Sequence, residues 1–184
     1  TEVDGGTGAD SFTVANSDSF TIDGKGGSDT VTLTNNGDVS DFSKLTNIEK
    51  LVVAEGGNTV NLATAGAAGI ASVTGGSGDD SFSAAATTSF TIDGGNGDDQ
   101  LTLTTAGSVS DFSKLSNIEK LVLANGANTV DLTTANAEQF TAGVDGGTGA
   151  DSFTVANSDS FTIDGGNGDD QLTLTTAGSV SNFD

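Results

Sequence analysis

The stretch Gly94-Gly95-Asn96-Gly97-Asp98-Asp99 runs directly into Gln100-Leu101-Thr102-Leu103, so a glycine-rich turn closed by aspartate leads into an alternating apolar segment. The pattern Gly-Gly-x-Gly-x-Asp, or a close variant, occurs six times, starting at residues 5, 24, 75, 94, 146 and 165. The copies form pairs nineteen residues apart, and the pairs recur after 70 and 71 residues. Such regular recurrence is typical of a repeat architecture in which each repeat packs on its neighbours.

The repeated unit is about 70 residues long. Residues 21–90 align with residues 91–161, and partial copies occupy residues 1–20 and 162–184. Val3–Gly24 recurs without change at Val144–Gly165. We therefore expect one continuous solenoid over residues 1–184, cut from a longer array with no evident cap at either end.

The apolar residues lie in short segments with period-two alternation, which is typical of strands. In the second copy these segments are Leu101–Leu103, Leu121–Leu123, Val130–Leu132, Phe140, Phe153–Val155 and Phe161–Ile163. The predicted fold is all-β: a parallel β-solenoid (β-roll or β-helix) with about three coils per repeat. A degraded third loop, with Asn58 or Asn128 at the aspartate position, supports that coil count, and we expect all the loops to stack on one edge.

Two further segments, Val39–Lys50 and Val109–Lys120, differ from the strand pattern. Their apolar residues recur every three positions, at 109, 112, 115 and 118 in the second copy, which predicts a short helical insertion in each repeat. The segments carry four of the five lysines, Lys44, Lys50, Lys114 and Lys120. These lysines form either a solvated face or a basic strip that meets the acidic edge of a neighbouring molecule.

The composition excludes several classes of function. The chain has no His or Cys, which excludes His-based acid–base catalysis, Cys nucleophiles, and zinc or iron–sulfur sites built on those ligands. Its formal net charge of −21 disfavours nucleic acid as a partner. No apolar run is long enough to span a membrane, and a thin coil offers no shielded pocket for paired-carboxylate catalysis. We therefore expect no enzyme activity.

The loops predict bound calcium. Calcium takes six to eight oxygen ligands, many of them backbone carbonyls, and glycine permits the backbone angles that turn several carbonyls toward one point. Loops on neighbouring coils lie about 4.8 Å apart, so one ion can take oxygens from both. Binding would also neutralise the acidic charge that otherwise opposes folding.

The predicted ligands divide into four groups. The sixth-position aspartates pair as Asp10 with Asp29, Asp80 with Asp99, and Asp151 with Asp170. The glycines that shape the loops are Gly6, Gly8, Gly27, Gly76, Gly78, Gly95, Gly97, Gly147, Gly149, Gly166 and Gly168. Asp79, Asp98 and Asp169 add charge. Asn58 and Asn128 occupy the aspartate position of the third loop.

Each of the six loops is followed by an apolar residue: Phe12, Val31, Phe82, Leu101, Phe153 or Leu172. With this pattern of glycine–aspartate loops followed by an apolar residue, the chain resembles the repeats-in-toxin (haemolysin-type) family of calcium-binding β-rolls. The segments Asn47–Val53 and Asn117–Leu123 resemble spacer strands of large bacterial surface proteins of that group. The chain departs from the family pattern in its longer coils, in having the motif on one edge, and in Lys25, which replaces the second glycine.

The resemblance implies a protein exported in one step by a bacterium and folded by several calcium ions outside the cell. The expected function is a structural module of a surface filament, surface layer or adhesin stalk that self-associates head-to-tail or laterally. One alternative is the calcium-folding export region of a toxin or hydrolase whose active domain lies elsewhere. A weaker alternative is ice binding through outward Thr rows such as Thr102 and Thr104.

Overall fold

A computed structural model describes residues 2–16, 20–85, 90–136, 138–156 and 162–176. The described residues form parallel sheets of a β-solenoid with about eight turns and little helix. The all-β, parallel-solenoid prediction is therefore confirmed. The chain divides into two compact units, Thr1–Phe82 with Ser89–Asp99, and Ser83–Thr88 with Gln100–Asp184.

The first unit contains the early strands of the chain. They are β1 (Glu2–Gly6), β2 (Ser11–Val14), β3 (Thr21–Lys25), β4 (Thr30–Leu33), β5 (Asp38–Val39), β6 (Leu45–Thr46), β7 (Lys50–Val52), β8 (Thr59–Asn61), β9 (Ser72–Thr74), the start of β10 (Ser81–Ala84) and β11 (Thr91–Asp93). Most are three to five residues long, as expected for segments bounded by Gly, Asn and Asp.

The second unit contains the end of β10 and the later strands. They are β12 (Gln100–Leu103), β13 (Ser108–Val109), β14 (Leu115–Ser116), β15 (Lys120–Val122), β16 (Thr129–Asp131), β17 (Gly143–Asp145), β18 (Ser152–Val155), β19 (Ile163–Asp164) and β20 (Gln171–Leu174). Here β12, β15, β17 and β19 follow one another in one parallel sheet, and β13, β16, β18 and β20 in another.

In the first unit, the glycine loops do not all stack on one edge, and that prediction is wrong. The first loop pair leads from β1 and β3, which pair with each other, to β2 and β4. The second loop pair follows β9 and β11, and these strands pair through β7 with β4. The strands before the second loop pair, β9 and β11, therefore lie in the same sheet as the strands after the first loop pair, β2 and β4. The two loop pairs lie at different corners.

The predicted helical insertions are also wrong. Val39–Lys50 contains β5, a turn and β6. The Asp41 carboxylate accepts a hydrogen bond from the Ser43 backbone N–H at 2.9 Å, which stabilises that turn. Val39, Phe42 and Ile48 are nevertheless buried. A spacing of three therefore places apolar residues inside a coil that bends repeatedly, just as it would place them on one face of a helix.

The helical residues lie in other segments, as two 3₁₀ helices. Leu62–Ala68 begins after Asn61, whose side chain accepts a hydrogen bond from Ala63 N–H, and ends at Gly69 with φ 94°. Leu132–Thr134 begins after Asp131, which accepts from Thr133 N–H. Each 3₁₀ helix buries its leucine, so these short segments close the coil over the apolar interior.

The interior of each unit is a thin layer of large apolar side chains, as the alternation predicts. In the first unit Phe82 and Ile92 are fully buried. In the second, Phe112 and Phe140 are buried and meet edge to face with ring centroids 5.3 Å apart. Among the residues that the structure describes, no helix has the length and apolar character needed to cross a membrane. The predicted strand residue Phe161 and the segment 177–184 lie outside the described residues.

Candidate metal centre

The sixth-position residues form three columns, each running from turn to turn along a corner. The first column consists of Asp10, Asp29 and Glu49, the second of Asn58, Asp80 and Asp99, and the third of Asn128, Asp151 and Asp170. In each column, the backbone N–H of one residue donates to the side-chain oxygen of the next, so the columns are continuous hydrogen-bonded chains.

The hydrogen bonds within the columns are short and uniform. In the first column Asp10 N–H donates to Asp29 Oδ1 at 2.8 Å, and Asp29 N–H donates to Glu49 Oε2 at 2.7 Å. In the second, the Asn58–Asp80 and Asp80–Asp99 bonds both measure 2.7 Å. The third column has corresponding bonds of 2.7 and 2.9 Å. The structure thus brings together all three predicted aspartate pairs.

Four of the column aspartates are buried. Asp29 and Asp99 are 0% exposed, Asp151 is 1% and Asp80 is 2% exposed. The second carboxylate oxygen, Oδ2, of Asp10, Asp29, Asp99 and Asp151 is buried without a hydrogen-bond partner. A buried anionic oxygen without a partner is costly, because it has lost its water and gained nothing in return.

The like charges in a column add to that cost. Two ionised carboxylates one strand spacing apart repel each other by about 3 kcal/mol at an effective dielectric constant of about 20. Lys25, which lies at the surface, forms its ion pairs with Asp4 and Asp23 and not with the column aspartates. It therefore does not neutralise the first column.

The glycines of the loops stack closely on one another. Asn96 N–H donates to Gly76 O at 3.1 Å, and Asn167 N–H donates to Gly147 O at 2.9 Å. Most of the predicted loop glycines have positive φ: Gly6, Gly27, Gly78, Gly95, Gly97, Gly147, Gly149, Gly166 and Gly168. Gly8 and Gly76 do not. Each carbonyl that accepts one N–H keeps a second lone pair for another partner.

The additional aspartates lie outside the columns. Asp79, Asp98 and Asp169 are exposed, and Asp79 Oδ1 accepts a hydrogen bond from Asp98 N–H at 3.0 Å. They therefore add charge to the outer surface of the loops, while the buried oxygens belong to the sixth-position aspartates.

Asn58 and Asn128 begin their columns and act as donors. Asn58 Nδ2 donates to Asp80 Oδ1 at 2.8 Å, and Asn128 Nδ2 donates to Asp151 Oδ1 at the same distance. Their own oxygens accept weaker bonds of 3.3 and 3.2 Å from Gly37 and Gly107 N–H. Their assignment as metal ligands stays a prediction.

Glu49 is a column member that the sequence motif missed, because its turn contains no glycine. The available signal was spacing: Glu49 follows Asp29 by twenty residues, close to the nineteen that separate the paired loops, and recurs as Glu119. The carboxylate of Glu49 occupies the next place in the first column, where it accepts the Asp29 N–H.

A second acidic group surrounds Lys25. One carboxylate oxygen from each of Glu2, Asp4 and Asp23 lies within 4.8 Å of the others. The Lys25 ammonium lies 2.8 Å from Asp23 Oδ2 and 3.6 Å from Asp4 Oδ1. Hydrogen bonds from Lys25 and then Asn47 lower the pKa of Asp23 to about 2. The lysine that interrupts the motif thus supplies a cation to this exposed cluster.

The residues of the columns fit a bound divalent cation in charge and in donor chemistry. They offer buried carboxylate oxygens without partners, beside loop carbonyls that can accept again. Each loop pair has only two column aspartates, so backbone oxygens would have to supply most of the six to eight ligands that calcium takes. The chain matches no family model, no curated protein and no solved structure.

Proposed function

We propose that this chain is a calcium-stabilised structural repeat module of an extracellular bacterial surface assembly, such as a filament, surface layer or adhesin stalk. The observation that carries the proposal is the set of buried, partnerless carboxylate oxygens at Asp10, Asp29, Asp99 and Asp151. Calcium would supply the missing positive charge and bind the oxygens of two neighbouring loops at once. The proposed sites are the three aspartate pairs.

Three further features support a structural role. The 70-residue unit, with its proposed three coils, recurs with nearly constant loop spacing, and Val3–Gly24 recurs unchanged after 141 residues, which suits a spacer that presents the same surfaces again and again. Parallel strand pairing and the column hydrogen bonds join neighbouring turns within each unit, which gives rigidity. Millimolar calcium outside cells would fold such a chain after export, because a ligand that binds only the native state stabilises it by mass action.

The self-association that this function requires is part of the proposal. Val3 and Phe20, in the first unit, are the exposed large apolar residues among those described, at 37% and 42%. Parallel strands whose edges are open can pair with strands of another molecule. The exposed lysines Lys44 and Lys50 supply positive charge that suits lateral contact with the acidic loops of a neighbour.

The test is circular dichroism and light scattering with calcium removed and restored. We expect excess chelator to abolish most of the β-signal and millimolar calcium to restore it, since metal binding and folding are linked. Asp151→Ala should raise the calcium concentration needed for folding, whereas Glu138→Gln, an exposed change outside the loops, should not. A β-signal that survives chelation unchanged would show that the columns need no metal.

A further inference from the structure

The amide side chains of Asn58 and Asn128 close their own loops. Asn58 Nδ2 donates to Ala54 O at 2.8 Å and to Gly56 O at 2.6 Å, both in the loop that Asn58 ends. Asn128 Nδ2 donates to Ala124 O at 2.9 Å and to Gly126 O at 2.8 Å. The amide nitrogen therefore draws the carbonyls four and two residues back toward one point.

This arrangement is the same in two loops of different sequence. The first loop reads Ala54-Glu55-Gly56-Gly57-Asn58, and the second reads Ala124-Asn125-Gly126-Ala127-Asn128. Both asparagines are nearly fully buried, at 4% and 3% exposure. The asparagine and the set of bonds it makes are thus common to both loops, although the residues at their second and fourth positions differ.

Aspartate cannot make these bonds, because an ionised carboxylate has no hydrogen to donate. In an aspartate loop the carbonyls four and two residues back, such as Gly147 O and Gly149 O for Asp151, receive no bond from the closing side chain. A cation is the alternative group that can draw carboxylate and carbonyl oxygens toward one point. An aspartate that held a cation would therefore gather the same carbonyls as the asparagine amide does, in addition to the Gly76 N–H that Asp80 Oδ2 accepts at 3.1 Å.

The asparagines also remove charge repulsion at the start of a column. Asp80 Oδ1 accepts the backbone N–H of Asn58 and lies 2.8 Å from Asn58 Nδ2, whose two hydrogens are shared among three acceptors, and Asp151 Oδ1 has the same two partners in Asn128. The Oδ1 atom that faces each asparagine is thus satisfied by hydrogen bonds. In the aspartate–aspartate interval of the first column, by contrast, Asp10 Oδ2 and Asp29 Oδ2 are both buried without a hydrogen-bond partner.

From this difference we infer that Asn58 and Asn128 close the third loops without metal, each amide taking the place of an ion, so that cations are confined to the aspartate–aspartate intervals. This inference rests on the proposed calcium function for the aspartate loops. It replaces the assignment of the two asparagines as ligands. The inference can be tested by counting bound ions, because each asparagine-to-aspartate change should add one calcium ion to those bound on folding.

The experiment compares Asn58→Asp, Asn128→Asp and the double variant with the wild type. Asn61→Asp is the matched control: it adds the same charge three residues from Asn58, at an exposed cap position where the second repeat naturally has Asp131. Folding is followed by circular dichroism during calcium titration. The slope of the folding equilibrium against calcium concentration counts the ions taken up.

Each asparagine-to-aspartate change should raise the number of ions taken up by about one, because the loop now lacks its donor. Below calcium saturation it should favour unfolding about tenfold, the effect of losing one or two hydrogen bonds. Asn61→Asp should change neither quantity. An unchanged ion count in the double variant would overturn the inference, and an unchanged count with tighter calcium binding would show that the asparagines are themselves ligands.

If the wild type folds without calcium, the proposed function is disproved, but the loop-closing role of Asn58 and Asn128 can still be measured. Urea unfolding of the same variants without calcium then decides the matter. Asn58→Asp and Asn128→Asp should lower the unfolding midpoint relative to Asn61→Asp, since the amide bonds are lost in the first two only. Equal midpoints for all three variants would overturn the loop-closing role.

Discussion

The first glycine of a loop lies directly beneath the carboxylate that closes the same loop. A Cβ added to Gly75 would be 2.5 Å from Asp80 Oδ2 and would also overlap the backbone oxygen of Gly94. A Cβ on Gly146 would be 2.9 Å from Asp151 Oδ2. Neither glycine has positive φ, so the requirement for glycine at this position is steric: the carboxylate and the next turn occupy the space of a side chain.

Gly75→Ala should therefore destabilise the protein by about 1–3 kcal/mol, the usual effect of forcing a methyl group into a packed site. The measurement is urea unfolding with calcium present at a constant, saturating concentration. Gly66→Ala is the control, because a Cβ at Gly66 meets nothing within 4 Å and alanine is the better helix former. If the two variants are equally stable, Gly75 is not held against the carboxylate of Asp80.

The sequence predicted the aspartate pairs because their motif recurs at a fixed spacing. It could not predict which partner each oxygen has. Asp29 bonds to Glu49, which no glycine precedes, and Asn58 serves as a donor although it occupies an acceptor's place in the motif. These roles depend on which turn lies next in the column, and a local pattern contains no such information.

Among the elements, the coil segment after the second 3₁₀ helix contains a buried polar brace. Gln139 is 4% exposed, and its Nε2 donates to Leu115 O at 2.6 Å and to Phe112 O at 3.1 Å. Its Oε1 accepts a hydrogen bond from Asn136 N–H at 3.0 Å. The brace thus ties the segment 136–139 to the turn at residues 112–115. The first repeat has Gly69 at the position that aligns with Gln139.

Gln139→Met should destabilise the protein by about 1–3 kcal/mol, because it keeps the volume of the side chain but removes the buried amide donor from Leu115 O, while Phe112 O keeps only the Leu115 N–H. Thermal or urea unfolding at constant calcium measures the effect. Glu138→Ala, one residue earlier and exposed, should change stability by less than about 0.5 kcal/mol. A stable Gln139→Met variant would show that water or another group satisfies the two carbonyls.

The strands could be predicted from the sequence, because alternation of apolar residues such as Leu101 and Leu103 fits a strand and does not fit a helix face. The helix over Val39–Lys50 was not, because a spacing of three fits both a helix face and a coil that turns inward at each bend. The hydrogen bond from Ser43 N–H to Asp41 Oδ1 stabilises the turn in this segment.

For the whole molecule, the distribution of loops over different corners was beyond local sequence reasoning. In the first unit, β7 joins the sheet of β4 and is followed in that sheet by β9, so the spacer between loop pairs moves the next pair to a new corner. This shift results from how the spacer coil closes, which depends on long-range strand pairing. The two acidic columns of the first unit therefore lie at different corners.

Because the net charge is −21, the screening of surface charge by salt can be tested separately from the neutralisation of buried carboxylates by calcium. At about 1 M salt the Debye length is about 3 Å, so exposed carboxylates are screened while buried ones are screened much less. With chelator present, sodium chloride should therefore restore only a small part of the β-signal. Millimolar calcium, which changes the ionic strength little, should restore all of it, because the cost lies in buried oxygens such as Asp29 Oδ2 and Asp99 Oδ2.

The comparison is made by circular dichroism on one sample series, with magnesium chloride at the same concentration as the control for divalent charge alone. Full recovery in sodium chloride would mean that the surface charge, and not the buried columns, opposes folding. Equal recovery in magnesium would mean that the loops do not distinguish calcium from a smaller cation that prefers octahedral water-rich coordination.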